Sequence, residues 1–294
     1  MSKFPSFISC LRPSRYGDII ASLPCLTYLE KRYPDSYKCA YIDLSCAPIA
    51  PFLLNQPYLN EIRISEKVDT FSDNDKYYFS KYDYAFNPYA LPTDLEYFNK
   101  YHFCEEIFRM TTLLGGGRVN PDEYNILTEQ EKRPYLHRWF PIERHEKTIA
   151  VWPKVGYNNK DETINLRSPS NEFWHGVYGD LIDLGYKVVQ LGFSDIITTI
   201  IPVIDLRSLS LFDSIKFALG CDINICCDSG SGWILGAYGV NQILLYTNYK
   251  KNHTQNFNAI CPVNYWNNCQ YLYGIGGINN INPEDVLEAV RKFE

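Results

Sequence analysis

The sequence lacks any apolar run of the roughly 18 residues that a membrane-spanning helix needs, and Met1-Ser2-Lys3-Phe4-Pro5 leads into a strand-like segment without a cleavable signal pattern. Both absences point to a cytoplasmic protein with no transmembrane segment. Positive charge is also short: 28 Lys and Arg face 34 Asp and Glu, for a net charge of −6. That disfavours a general nucleic-acid or anionic-membrane surface and leaves room only for a local basic cleft. Among ten cysteines there is no CxxC pair. Cys10, Cys25, Cys39, Cys46, Cys104, Cys221, Cys226 and Cys227 fall mostly inside apolar runs, so reduced core thiols are expected rather than a disulfide framework. Cys261 and Cys269, in CPVNYWNNC, match no zinc ligand spacing with a nearby His, and no metal is assigned. His102, His137, His145, His175 and His253 form no spaced set with a carboxylate and a nucleophile, which removes hydrolase triads. No Walker A sequence occurs, and no GxGxxG follows the first strand, so kinases and dehydrogenases lose their usual anchors.

What is present is an alternation. With 294 residues, 46% of them hydrophobic and 21% charged, the chain is long enough for two ordinary globular cores. SFISCL (6–11) reads as a strand, and a helix is expected from Asp18 through Ile19, Ile20, Leu23, Leu26 and Leu29 to Arg32. YKCAYIDL (37–44) follows as a strand, APIAPFLLN (47–55) as a helix and EIRIS (61–65) as a third strand. YDYAFNP (82–88) is strand-like, and residues 94–114 read as a helix stopped by Gly115-Gly116-Gly117. Residues 118–146, with three prolines and no sustained period, suit an interdomain connection. The pattern then restarts: strand 147–153, polar loop, helix 170–184, strand 186–193, helix 210–220, and a well-capped closing helix at 283–293. Two βα arrays in succession describe an α/β chain of two Rossmann-like domains facing across a cleft, 1–143 and 144–294. The last helix is a candidate to pack back toward the N-terminal domain.

The most telling stretch is INICCDSGSGWILGAYGVNQILLY (223–246): a buried strand, a Gly/Ser turn, a helix and a second buried strand. The first amides of such a helix lack intrahelical partners and lie at the positive end of its dipole. Asp228, Ser229, Gly230 and Ser231 therefore mark either an anion site or a plain N-cap. Lys154, Lys160 and Arg167 follow the first strand of the second half, as solvated charge or as cations that neutralise a phosphate. Asp195, after Leu191-Gly192-Phe193-Ser194, is either a turn residue or an acceptor for ribose hydroxyls. In the first half, Gly17 lets the loop after strand one turn tightly, and Asp18 is either an N-cap or a general base. Arg12 and Arg15 on the same loop could pair an anionic acceptor.

Three segments carry a resemblance. YGDIIASLPCLTYLEKRYPD (16–35), IAPFLLNQPYLNEIRIS (49–65) and DLRSLSLFDSIKFALGCDINICCDSGSGWILGAYGVNQILLY (205–246) resemble, in order and spacing, the bacterial heptosyltransferases of glycosyltransferase family nine, a GT-B group. The resemblance implies transfer of a sugar from a nucleotide-diphosphate donor to an acceptor hydroxyl, inverting and metal-independent, with no cofactor beyond the nucleotide sugar. It makes Asp18 the catalytic base, puts Asp228, Ser229 and Gly230 on the donor diphosphate turn, and sets Arg167 or Lys160 near the phosphate. Where the family has His-Leu after the turn, this chain has Trp233-Ile234; its usual Gly-rich stretch is here Trp152-Pro153-Lys154-Val155-Gly156. A glycan is the expected acceptor. A modified nucleic-acid base or protein acceptor, a retaining mechanism, and a non-catalytic sugar-nucleotide-binding protein are the alternatives.

Overall fold

The computed structural model describes residues 6–11, 16–65, 84–87, 104, 108, 112–113, 119–155, 167–192, 203–247, 266, 268–275 and 277–294. By contacts the chain separates into two compact units, the first running to Trp139 and the second starting at Phe140.

The first unit holds β1 (Ser6–Leu11), α1 (Tyr16–Ala21), α2 (Leu23–Arg32), β2 (Tyr37–Asp43), α3 (Ala50–Leu53), β3 (Glu61–Ser65), β4 (Tyr84–Asn87) and β5 (Thr112–Leu113). Its strand order is β3-β2-β1-β4-β5, parallel except for the β4/β5 pair. The helix expected from Asp18 starts at Tyr16 and breaks at Ser22. Pro24 has no N–H to donate to the carbonyl four residues back. The Ser22 amide is shared between the carbonyls of Asp18 (3.1 Å) and Ile19 (3.2 Å), and its hydroxyl donates to Ile19 O at 2.7 Å. Two further prolines divide the expected 47–55 helix: a 3-10 segment, Leu44–Ile49, contains Pro48, and α3 has Pro51 in its first turn.

Cys104 and Phe108 are helical and buried, but the helix expected to reach residue 114 does not. Thr112 and Leu113 instead pair antiparallel with Asn87 and Phe86.

Residues 119–139, expected as a connection, are a wall of the first unit. A 3-10 helix, Pro121–Ile126, is capped by the Asn120 side chain. Its Glu123 carboxylate accepts the Tyr28 hydroxyl, and Phe108 packs between Tyr28 (4.9 Å) and Tyr124 (4.7 Å). Further along, the Gln56 amide donates to Phe52 O at 2.7 Å and His137 O at 3.1 Å and accepts from His137 N at 2.7 Å. The Tyr58 hydroxyl donates to Tyr135 O at 2.7 Å. Absence of a period in a sequence does not mean absence of packing when side chains hold the backbone from outside.

The second unit holds β6 (His145–Trp152), α4 (Asn171–Asp183), β7 (Lys187–Gln190), β8 (Ile204–Asp205), α5 (Leu211–Ala218), β9 (Cys221–Cys227), α6 (Gly230–Ala237), β10 (Gln242–Thr247), β11 (Cys269–Gly274) and α7 (Pro283–Arg291). Every pairing in the order β11-β10-β9-β6-β7-β8 is parallel. Renumbered within the unit this is 6-5-4-1-2-3, the doubly wound arrangement. Continuous apolar strands are what a sheet covered on both faces demands. Ile149, Val151, Val188, Ile223, Ile225 and Leu245 meet Trp174 and Tyr178 of α4 and Val286 and Val290 of α7 in one buried cluster. The last helix, expected to return toward the first domain, thus has its apolar face in the core of the second. Ser170, Ser210 and Asn282 cap α4, α5 and α7 by accepting backbone N–H bonds, each worth about 1 kcal/mol. Strand β11 follows a stretch notable in sequence only for its cysteines.

Candidate functional site

In an open α/β sheet, ligands sit beyond the carboxyl ends of the strands where strand order reverses. In the second unit that point lies between β6 and β9. Trp152 pairs with Cys226; Lys154 and Asp228 each stand two residues further on, so both reach the same sheet edge. Burial pushes the Lys154 ammonium below its usual range.

The Asp228 amide continues the ladder, donating to Leu245 O at 3.1 Å, after which the chain turns into α6 at Ser229. Ser229 occupies the N-cap position, but its hydroxyl makes no capping bond. It pairs with the Ser231 hydroxyl at 2.7 Å. The first intrahelical bond is Trp233 N to Ser229 O, at 3.3 Å, so the amides of Gly230, Ser231 and Gly232 have no intrahelical acceptor. The side-chain bond that a capping serine usually makes is not formed here.

Arg167 lies beside the turn. Its Nη2 donates to the Asp228 carboxylate at 2.7 Å and also to the Asp228 carbonyl oxygen. Arg167 and Asp228 side chains are only 17% and 16% exposed, so the guanidinium is held rather than waving in solvent. The sequence marks both residues as donor contacts. Here the two are paired with each other, the carboxylate holding the guanidinium at the turn. The two stand 61 residues apart, and no local motif signals the pair.

The helix reaches the sheet closely because two positions lack side chains. A Cβ on Gly232 would stand 2.7 Å from a Leu244 methyl, and one on Gly236 2.3 Å from the Trp266 ring. Trp266 also meets Trp233 edge-on, with centroids 5.6 Å apart. Trp233 is 7% exposed. Its ring packs in the interior against Trp266.

In the first unit the corresponding point lies between β1 and β4. Gly17 and Asp18 follow β1, but Gly17 is inside α1 rather than in a turn, and Asp18 is the third helical residue, not an N-cap. Asp18 is half-buried at the positive end of the helix dipole. Cys46 lies near it: burial chiefly, with the Asp43 and Asp18 charges, pushes that thiol up to about 11 against the bond from Ser45. Burial, then Cys46, raises the Tyr16 phenol. Neither neighbour is marked by the sequence.

Arg12, Arg15, Lys160 and Asp195 lie outside the described residues. Among the described residues no three His, Cys, Asp or Glu side chains are grouped to hold a metal ion. Cys25, Cys39, Cys46, Cys104, Cys221, Cys226, Cys227 and Cys269 are buried, reduced thiols. No described helix is long and apolar enough to cross a membrane.

No protein-family model matches the sequence, and neither does any curated protein. Solved structures do. The chain is similar to E. coli ADP-heptose LPS heptosyltransferase II, with a TM-score of 0.68 and 16% identity over 98% of each chain. It is similar to a glycosyl transferase family 9 protein of Veillonella parvula, with a TM-score of 0.68 and 14% identity over 99% of this chain and 97% of that one. It also resembles the iron-containing dodecameric glycosyltransferase TibC of enterotoxigenic E. coli, with a TM-score of 0.60 and 13% identity over 100% of this chain and 77% of that one. The chain has the GT-B fold. Two Rossmann-like βα arrays, and in the second a Gly/Ser turn between a buried strand and a helix, are the elements read from the sequence that the structure shows.

Proposed function

We propose that this GT-B protein transfers a glycosyl group from a nucleotide-diphosphate donor to an acceptor hydroxyl, with inversion and without a metal ion. The observation that carries the reading is the uncapped head of α6 beside a held guanidinium: three amides, a helix dipole and Arg167 converge where a diphosphate's charge would sit. In the reaction the acceptor oxygen bonds to the anomeric carbon as the bond to the diphosphate oxygen breaks. The acceptor proton passes to the Asp18 carboxylate, and the leaving diphosphate keeps the electron pair. Amides of α6, Arg167 and Lys154 stabilise that developing charge. A carboxylate in the first helical turn is a weak base, and exclusion of water strengthens it.

The likeness to a heptosyltransferase whose name carries ADP-heptose supports a nucleotide sugar as donor and a glycan as acceptor. Lys160, Asp195, Arg12 and Arg15 are proposed to join these sites. The buried, reduced thiols support a cytoplasmic location.

A thermal-shift screen against nucleotide sugars tests the reading first. One nucleotide class should raise Tm, since a ligand at a hundred times its Kd stabilises by about 2.7 kcal/mol. Transfer should then persist in EDTA and yield the opposite anomer. Stabilisation by no nucleotide diphosphate would sink the proposal, and activity lost to EDTA and restored by iron would overturn its metal independence.

A further inference from the structure

At the opposite, N-terminal edge of the second sheet is a cavity of about 420 Å³. It is separated from the α6 turn by the length of β6, about 20 Å at the usual rise per residue. Arg144, His145, Glu146, Lys187, Ile204 and Phe217 line it. We propose that this cavity is a second small-molecule site, for a purine mononucleotide.

Three features carry the assignment. The His145 and Phe217 rings stack on each other at 4.1 Å with 21° between planes and both border the cavity as an aromatic wall, with Val189 and Ile204 as apolar walls. The cations are Arg144 and Lys187. Arg144 is anchored through one Nη to Asp222, which leaves its other N–H groups to a ligand, and Lys187 has no ion-pair partner among the described residues. Glu146 adds a carboxylate. An aromatic wall against which a planar base can pack, two cations for a phosphate and an acceptor for an exocyclic amine are the complement of a purine monophosphate.

The backbone under this cavity is strained. Lys147 has φ of 49°, left-handed for a residue with a long side chain, where the β6/β9 register shifts between His145 and Ile149. Such a bulge re-aims the side chains beside it, and strain of this kind persists only where the surrounding structure holds it. Here it sits within the segment 144–146 and Thr148 that borders the cavity. The site is independent of the glycosyl-transfer reading.

The full-length protein, irradiated with 8-azidoadenosine monophosphate and mapped by peptide mass spectrometry, tests it. Label is expected on 144–148 or on the peptide containing Phe217. Lys187→Ala and Ile204→Trp, both exposed positions, should each cut that labelling at least tenfold with unchanged far-ultraviolet circular dichroism, whereas Arg167→Ala should leave it intact. Label only at other positions, no label at all, or labelling that survives both cavity substitutions overturns the proposal.

Discussion

The two units share a strand order and differ in what stands at its reversal. The first places a carboxylate, Asp18, in a helical turn with Tyr16 and Cys46 as neighbours, both held protonated by burial. The second places a guanidinium clamped by a carboxylate against helix amides that lack intrahelical acceptors, with Lys154 beyond the neighbouring strand. In the proposed reaction, one topology carries a proton acceptor in one copy and an anion receptor in the other. Fold decides where chemistry can happen, and a handful of side chains decide which.

The largest expected effect separates those two roles. Asp18→Asn should lower kcat by about three orders of magnitude, in the range for a lost general base, with nucleotide affinity by calorimetry unchanged; wild-type turnover would remove Asp18 from the chemistry. Arg167→Ala should instead lower both donor affinity and kcat, by about a hundredfold in kcat. Asp228→Asn should do the same more mildly, roughly tenfold, because it frees the guanidinium without removing it. If Asp228→Asn proved worse than Arg167→Ala, Asp228 would be contacting the donor itself.

How much of this is legible in the sequence follows from how local each feature is. The strand, turn, helix and strand at 223–246 read correctly because apolar period and small residues change abruptly within a few positions. Asp18 and Arg167 are picked out by their place after a strand. Their surroundings are not: Arg167 meets Asp228 across 61 residues, and Tyr28 meets Glu123 across 95. Strand β5 is hidden because two residues cannot establish a period, and residues 119–139 because their order comes from side chains of α2 and of the chain at Gln56 and Tyr58.

Smaller effects bear on packing. Gly236→Ala should cost the second unit about 1–3 kcal/mol by overpacking against Trp266, seen as a Tm lower by several degrees. Gly232→Ala should cost less, since a Leu244 methyl can yield. Smallest is a difference in alkaline tolerance. Burial raises Cys46 of the first unit to about 11 and Cys221 of the second to about 12, the latter helped by Asp222 and opposed by Arg144. The folded state holds each thiol proton more tightly than the unfolded chain does. The stability this provides is complete below the ordinary thiol value near 9 and is lost as pH climbs through 11 and 12. Urea melts across the alkaline range should show progressive loss, relieved more by Cys221→Ala than by Cys46→Ala.

The Gln56 amide has a consequence for tolerance to length change. By bonding both the N–H and the C=O of His137 it acts on that residue as a neighbouring strand would, from a side chain rather than a backbone. Between the 3-10 helix ending at Ile126 and this clasp, the chain is therefore gauged at both ends. Inserting or deleting one residue there would bring Leu136 or Arg138 to the place of His137, with carbonyl and amide turned the wrong way. A stretch with the composition of a loop should therefore accept substitutions far more readily than changes in residue count.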